Sequence, residues 1–178
     1  MKIEINKLGL GLHQLEYTET ATELGIKDQA IFPESIYSSV AVDKSESHIY
    51  IKAEVTSTAH FVCDRCLKEF NHNLNGGLSV YYEIVTPGSH AHLVDKDAED
   101  DSVRIYRQDM KEIDLTDDIR DTIILAVPMK LLCSPECKGI CAGCGNDLNV
   151  EACSCSEKPI DPRWASLQEL LDHSPPKN

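Results

Sequence analysis

Basic residues are scarce in this chain, and that scarcity excludes a general nucleic-acid coat. Across 178 residues there are 17 Lys and Arg against 30 Asp and Glu, a formal charge of −13. A protein that binds phosphate backbones by charge alone needs the opposite sign. Any contact with nucleic acid must come from a local basic patch or through a partner, and positively charged proteins are the partners that simple steering favours. No run of about 18 apolar residues occurs, so no membrane span is expected. The opening Met1-Lys2-Ile3-Glu4-Ile5-Asn6-Lys7 has no apolar core and carries Glu4, unlike a secretory signal. A cytoplasmic chain with reduced thiols is the expectation. Also missing are H-E-x-x-H, G-x-S-x-G and a phosphate-cradling glycine loop. With those parts absent, no enzyme activity and no small-molecule substrate are expected.

What the chain does have is eight cysteines in close pairs. Cys63 and Cys66 form one C-x-x-C, and Cys133, Cys137, Cys141, Cys144, Cys153 and Cys155 crowd the C-terminal third. A C-x-x-C turn points two sulfurs at one ion, and a second pair completes a tetrahedron. Eight thiols therefore predict two Zn2+ ions, each held by four cysteines. A disulfide framework suits a secreted chain, which the opening residues do not lead one to expect. A redox C-x-x-C opens a helix within a βαβ pattern, whereas Cys63-Asp64-Arg65-Cys66 follows the strand-like run from Ile49 to Val62. A zinc knuckle at a hairpin tip fits better. Four thiolates leave no open position for a catalytic water, so the metal is expected to be structural.

Two partitions of the ligands are open. Cys133, Cys137, Cys141 and Cys144 can share an ion, leaving Cys63, Cys66, Cys153 and Cys155 for the other. Alternatively Cys63 and Cys66 meet Cys133 and Cys137, and Cys141, Cys144, Cys153 and Cys155 form a local site. The second is preferred. Gly145 eases backbone approach to the Cys144 sulfur, and the shared ion would staple a hairpin tip to the segment after a helix. A structural zinc site contributes on the order of 10 kcal/mol, comparable with a whole domain's stability.

The predicted fold is α+β: a mainly antiparallel sheet or partly closed barrel with one packed helix, a cysteine-rich zinc-knuckle segment and a short C-terminal helix. His48-Ile49-Tyr50-Ile51-Lys52-Ala53-Glu54-Val55 alternates with period 2. Phe61 to Leu74 continues around the knuckle, and Gly76-Gly77 is read as a turn into Leu78–Val85. Residues 1–130 form the β-rich core, with an acidic loop at 86–103 and a helix at 114–127. Asp114 is its cap, Asp117 and Asp118 suit its N-terminal end, and Pro128 stops it. Leu115, Ile119, Ile123 and Ala126 make its apolar stripe, widened by Ile124 and Val127. Residues 131–158 are the zinc-binding segment, and 159–178 a helix and tail, opening at Asp161-Pro162 and carrying Trp164, Leu167, Leu170 and Leu171. The acidic run 95–101 does not make an EF-hand, because Asp100 stands where Gly is needed and Tyr106 where Glu is needed. His90 and His92 lack a third ligand and read as surface histidines.

Taken in order, Cys63-Asp64-Arg65-Cys66-Leu67, Leu125-Ala126-Val127-Pro128, Leu132-Cys133-x-x-x-Cys137-Lys138-Gly139-Ile140-Cys141-x-x-Cys144-Gly145-x-Asp147-Leu148-Asn149, Cys153-x-Cys155 and Asp161-Pro162-Arg163-Trp164 strongly resemble the YceD family. The resemblance covers roughly residues 50 to 171. Members are called large ribosomal RNA subunit accumulation proteins. The resemblance implies a part in accumulation of 23S ribosomal RNA and large-subunit assembly, through ribosomal RNA or a ribosomal protein, and brings no catalytic residues. Three basic groups are candidates for local contact, Arg65 with Lys68, Arg104 with Arg107 and Lys111, and Lys130 with Lys138, and each also reads as solvated surface charge. Arg65, Lys68 and Lys138, beside the knuckles, are the first choice for contact with such a partner. The competing reading is a thiol-based redox or zinc-sensing regulator, favoured by the close spacing of Cys153 and Cys155.

Overall fold

The computed structural model describes residues 1–85, 103–153 and 155. The acidic run, His90, His92 and the segment from Asp161 to the tail lie outside them. Two compact units make up the chain, Met1–Cys137 and Lys138–Asn178.

The first unit is mostly β with one helix. Its elements are β1 (Lys2–Ile3), a 3-10 turn (Ile5–Lys7), β2 (Gly11–Glu19), β3 (Ile36–Lys44), β4 (His48–Val62), β5 (Glu69–Val85), β6 (Val103–Arg107), β7 (Ile113–Asp114) and α1 (Thr116–Leu125). Strands β2-β3-β4-β5-β6 form one sheet in that order, and β1 pairs with β7 in a second, two-stranded one. The large sheet is mixed, because β6 runs parallel to β5 while the other pairs are antiparallel. It does not close into a barrel, since among the described residues β2 and β6 remain its two edges.

Alternation decides which face of the sheet is covered. Ile49, Ile51, Ala53, Val55, Ala59 and Phe61 point inward from β4 and are buried, as are Ile36, Val40 and Val42 from β3. Leu115, Ile119 and Ile123 cover that face from the helix side, with Leu24, Ile26 and Phe32 from the β2–β3 connection. Each fully buried Ile or Leu contributes about 1.5–3 kcal/mol. Ile124, expected to widen the helix stripe, is instead exposed.

Two sequence-based boundaries shift. The helix begins at Thr116 rather than Asp114 and ends at Leu125 rather than 127. Asp114 lies in β7, and its carboxylate accepts from both the backbone N–H and the hydroxyl of Thr116. The Thr116 hydroxyl and N–H hold its carboxyl below the ordinary range. The larger correction is at Gly76-Gly77, which make no turn. Both sit inside β5, with Gly76 opposite Val55 and Gly77 opposite Glu54 in an unbroken ladder. A Cβ on Gly76 would stand 2.8 Å from Thr122 Cγ2 and 2.9 Å from the Thr122 carbonyl oxygen. The glycine lets the helix lie directly on the strand.

Arg104, on β6, grips Asp118 of α1 through two bonds of 2.7 and 2.6 Å and also reaches the Tyr82 hydroxyl. It ties an edge strand to the helix. Among the described residues no helix is long and apolar enough to cross a membrane.

Candidate metal centres

The hairpin β4–β5 is joined by Cys63–Lys68, so the first C-x-x-C sits at its tip. Cys63 N–H donates to the Lys68 carbonyl and Leu67 N–H to the Cys63 carbonyl, both at 2.9 Å. These bonds wrap the turn so that Cys63 and Cys66 face the same way, both buried.

The second pair is brought to the first by the two spacer residues. Asp64 N–H donates to the Leu131 carbonyl, and Asp64 Oδ2 accepts from the Leu131 N–H, each at 2.8 Å. Arg65 Nη1 donates to the Cys137 carbonyl at 2.7 Å. Leu132 and Phe70 pack against the sulfurs. The result places Cys63 Sγ 3.8 Å from Cys137 Sγ and Cys66 Sγ 3.6 Å from Cys133 Sγ. Four sulfurs at about 2.3 Å from a tetrahedral zinc are about 3.8 Å apart.

The second unit repeats the turn. Cys141 N–H donates to the Asn146 carbonyl and Gly145 N–H to the Cys141 carbonyl, both at 2.8 Å. This matches the first knuckle bond for bond. Cys141 Sγ lies 3.1 Å from Cys153 Sγ, which is 3.7 Å from Cys144 Sγ. Gly143 N–H donates to the Cys141 sulfur, and a Cβ at Gly143 would stand 3.1 Å from the Cys155 sulfur. Asn149 Oδ1 accepts from Lys138 N–H, and its amide donates to Asp147 Oδ1, which braces the loop between Gly139 and Val150.

The structure thus realises the second partition. Within Cys63, Cys66, Cys133 and Cys137, and within Cys141, Cys144, Cys153 and Cys155, all sulfurs lie within 4.8 Å of one another. Either set could hold a metal ion. All eight thiols are free, and no described pair approaches the 2.05 Å of a disulfide.

Without a cation, such sets are electrostatically divided. Burial pushes the Cys63 thiol up, but the N–H groups of Cys133, Cys66 and Arg65 outweigh it and bring it down to about 6. The Cys66 sulfur, then burial, pushes Cys133 up to about 12. In the second set the Cys144 N–H and the Cys153 thiol lower Cys141 to about 6, while Cys153 and Cys144 push Cys155 up to about 12. Backbone N–H groups favour one thiolate, and that thiolate keeps protons on its neighbours. A divalent ion removes the conflict.

One difference separates the two knuckles. After the second cysteine, Gly145 has φ +79°, and Leu67 occupies the same position at φ +59°. A left-handed conformation costs a non-glycine residue about 1–2 kcal/mol. Leu67→Gly is therefore expected to raise the stability of the first unit by roughly 0.5–1 kcal/mol, the extra flexibility of glycine offsetting part of the relief. Urea denaturation of the metal-loaded chain measures it, and a lowered midpoint contradicts it.

The three cations expected to touch a partner are exposed. Arg65 has the bond to Cys137 described above, so it also positions a thiol of the first set. Lys68 lies at the first knuckle, and Lys138 opens the second unit. Nothing in the sequence singles out Asp64, because its partner Leu131 lies 67 positions away.

A chain with this pair of thiol tetrads can be compared with known proteins. It belongs to the YceD family, matching the description "Large ribosomal RNA subunit accumulation protein YceD" over residues 51–171. It is 33% identical over 67 residues to the Arabidopsis thaliana protein called large ribosomal RNA subunit accumulation protein YCED homolog 1, chloroplastic, covering 38% of this chain and 21% of that one. The Zea mays protein of the same name is 47% identical over 49 residues, covering 28% of this chain and 16% of the relative. An uncharacterized Mycobacterium tuberculosis protein is 31% identical over 131 residues, 73% of this chain and 59% of its own length. The chain thus spans about a fifth of the plant relatives and 59% of the mycobacterial one. No solved structure matches it.

Proposed function

We propose that this chain is a non-enzymatic, zinc-stabilised cytoplasmic factor needed for accumulation of 23S ribosomal RNA and assembly of the large ribosomal subunit, acting by binding ribosomal RNA or a basic ribosomal protein. The observation that carries it is the pair of four-thiol sets, each built on a C-x-x-C turn, in a chain of a family named for large ribosomal RNA subunit accumulation. Soft sulfur donors at tetrahedral spacing suit zinc, and four of them saturate it. A saturated ion activates no water, so its contribution is to hold the knuckle residues in place. Lys68 and Lys138 then present charge beside the rigid turns. The same role extends to Arg65 where its guanidinium is not engaged with Cys137.

Depleting the protein from growing cells and measuring 23S RNA and precursor particles tests the reading. Loss of 23S RNA with 16S RNA maintained is the expected result, and unchanged levels of both refute it. Ultraviolet crosslinking in the same cells separates direct RNA contact from contact with a ribosomal protein.

A thiol-sensing role has one observation in its favour: Cys144 and Cys155 are exposed. Alkylation distinguishes the two readings. Structural thiolates resist modification until a chelator is added, whereas a sensing pair reacts at once.

A further inference from the structure

The covered face of the large sheet is core, and among the described residues its other face is open. Most of that open face is small and polar: Thr18, Ser39, Thr56, Asn73 and Asn75 stand on it, all exposed, with Tyr37 a single exposed ring between Thr18 and Thr56. One row differs. Strand register lines up Leu12, Asp43, Tyr50, Tyr81 and Val103 straight across all five strands. Ile105, two positions after Val103, adds to it on the same face. Leu12 is 68% exposed, Ile105 51% and Tyr50 40%. Scattered apolar residues on a surface need no explanation, but a contiguous group of Tyr50, Tyr81, Val103 and Ile105, with Leu12 beyond Asp43, does.

The row is also held in place. The Tyr81 ring stacks on His48 with centroids 5.4 Å apart, and the Tyr50 hydroxyl donates to Ser79. Rings fixed before binding lose little entropy on binding. Five strands about 4.8 Å apart make the row roughly 20 Å long, which is the length of about 13 helical residues. At roughly 3.3 Å per residue, Tyr50 lies about 40 Å along β4 from Val62 at the first knuckle. The row and the first thiol set are separate surfaces.

Charge selects the occupant. Asp43 sits within the row, Glu83 stands opposite Ile105, and Glu16 and Glu54 share a row further along the face. Among the described residues Lys52 and Arg107 are the cations on it, and Arg107 is paired with Asp109. Phosphate is repelled by such a face, and Tyr81 already has one side taken by His48, which leaves little for base stacking. A second copy would bring its own Asp43 and Glu83 against the first. A polypeptide with an apolar stripe flanked by Lys or Arg meets both requirements. We infer that the open face of the sheet is a docking surface for a basic amphipathic helix of a partner protein, seated along Leu12, Tyr50, Tyr81, Val103 and Ile105.

The proposal stands apart from the knuckle reading, and its test keeps them apart. A photo-crosslinking amino acid replaces Tyr81 in one full-length chain and Thr56, on the polar part of the same face, in another, both expressed in cells. The expected product is a polypeptide adduct at position 81, at least ten times the yield at position 56. Its crosslinked peptide should map to a Lys- or Arg-flanked amphipathic helix, and the yield should fall with added salt. Adding Leu12→Lys or Ile105→Lys to the Tyr81 chain should abolish the adduct without changing its urea midpoint, whereas Lys68→Ala should leave it intact. Adducts with RNA, with a second copy, or with residues 86–102 of the same chain overturn the proposal. So do equal yields at the two positions, or no adduct at all.

Discussion

Substituting Ser for Cys137 is expected to halve the metal content, from two ions per chain to one, and to destabilise the first unit by on the order of 4 kcal/mol. Cys137 is buried, its sulfur faces Cys63, and its carbonyl holds Arg65. Removing the sulfur breaks up a four-thiol set and leaves the favoured Cys63 thiolate without a cation beside it. Elemental analysis reads the stoichiometry, and denaturant unfolding reads the loss. Cys155→Ser is the matched control: it should also remove one equivalent while leaving unfolding of Met1–Cys137 unchanged. If Cys137→Ser retains both ions, the first set is not a metal site. Acid should act in the same direction as the mutation. Cys133 and Cys155, pushed up to about 12 without metal, must each lose a proton to bind an ion. Metal affinity should therefore rise with pH through neutrality and fall on acidification.

The second large effect is expected at a residue with no side chain. Gly76→Ala places a methyl 2.8 Å from Thr122 Cγ2 and 2.9 Å from the Thr122 carbonyl oxygen. Relief requires α1 to lift from β5, and overpacking of this kind costs about 1–3 kcal/mol. The upper end is expected, because one of the two obstacles is backbone and cannot rotate away. Thr122→Ser removes the methyl but not the carbonyl, so the double variant should recover part of the loss and no more. A Gly76→Ala midpoint equal to wild type would show that the helix does not lie on the strand this closely.

Gly76 also shows where a single sequence stops being readable. A Gly pair between two apolar runs is the ordinary sign of a turn. The same residue type marks close approach inside a strand, and only the position of α1 tells the two apart. The knuckles were legible because their geometry is local: C-x-x-C closes its own turn, whatever surrounds it. The meeting of Cys63 and Cys66 with Cys133 and Cys137 was readable as one of two partitions, because spacing alone permits both. The clamp that enforces it was not, since Asp64 and Arg65 find partners 67 and 72 positions away. The period-2 pattern identified the buried face of β4 correctly. It carried no sign that β6 runs parallel to β5 or that the sheet stays open, because pairing direction and closure depend on which edges meet.

The two thiol sets differ in how far along the chain their members lie, and that difference sets what each must wait for. Cys141 and Cys153 are 12 positions apart, while Cys66 and Cys133 are 67 apart. Closing the longer loop costs about 1.5 kcal/mol more in chain entropy. It also waits for the long β4–β5 ladder and for α1. If it holds an ion, the second set needs only its own short segment to do so. The first can do so only once the sheet and helix have formed around it. An ion in the Cys63 set therefore reports that the first unit has finished folding, and one in the Cys141 set does not.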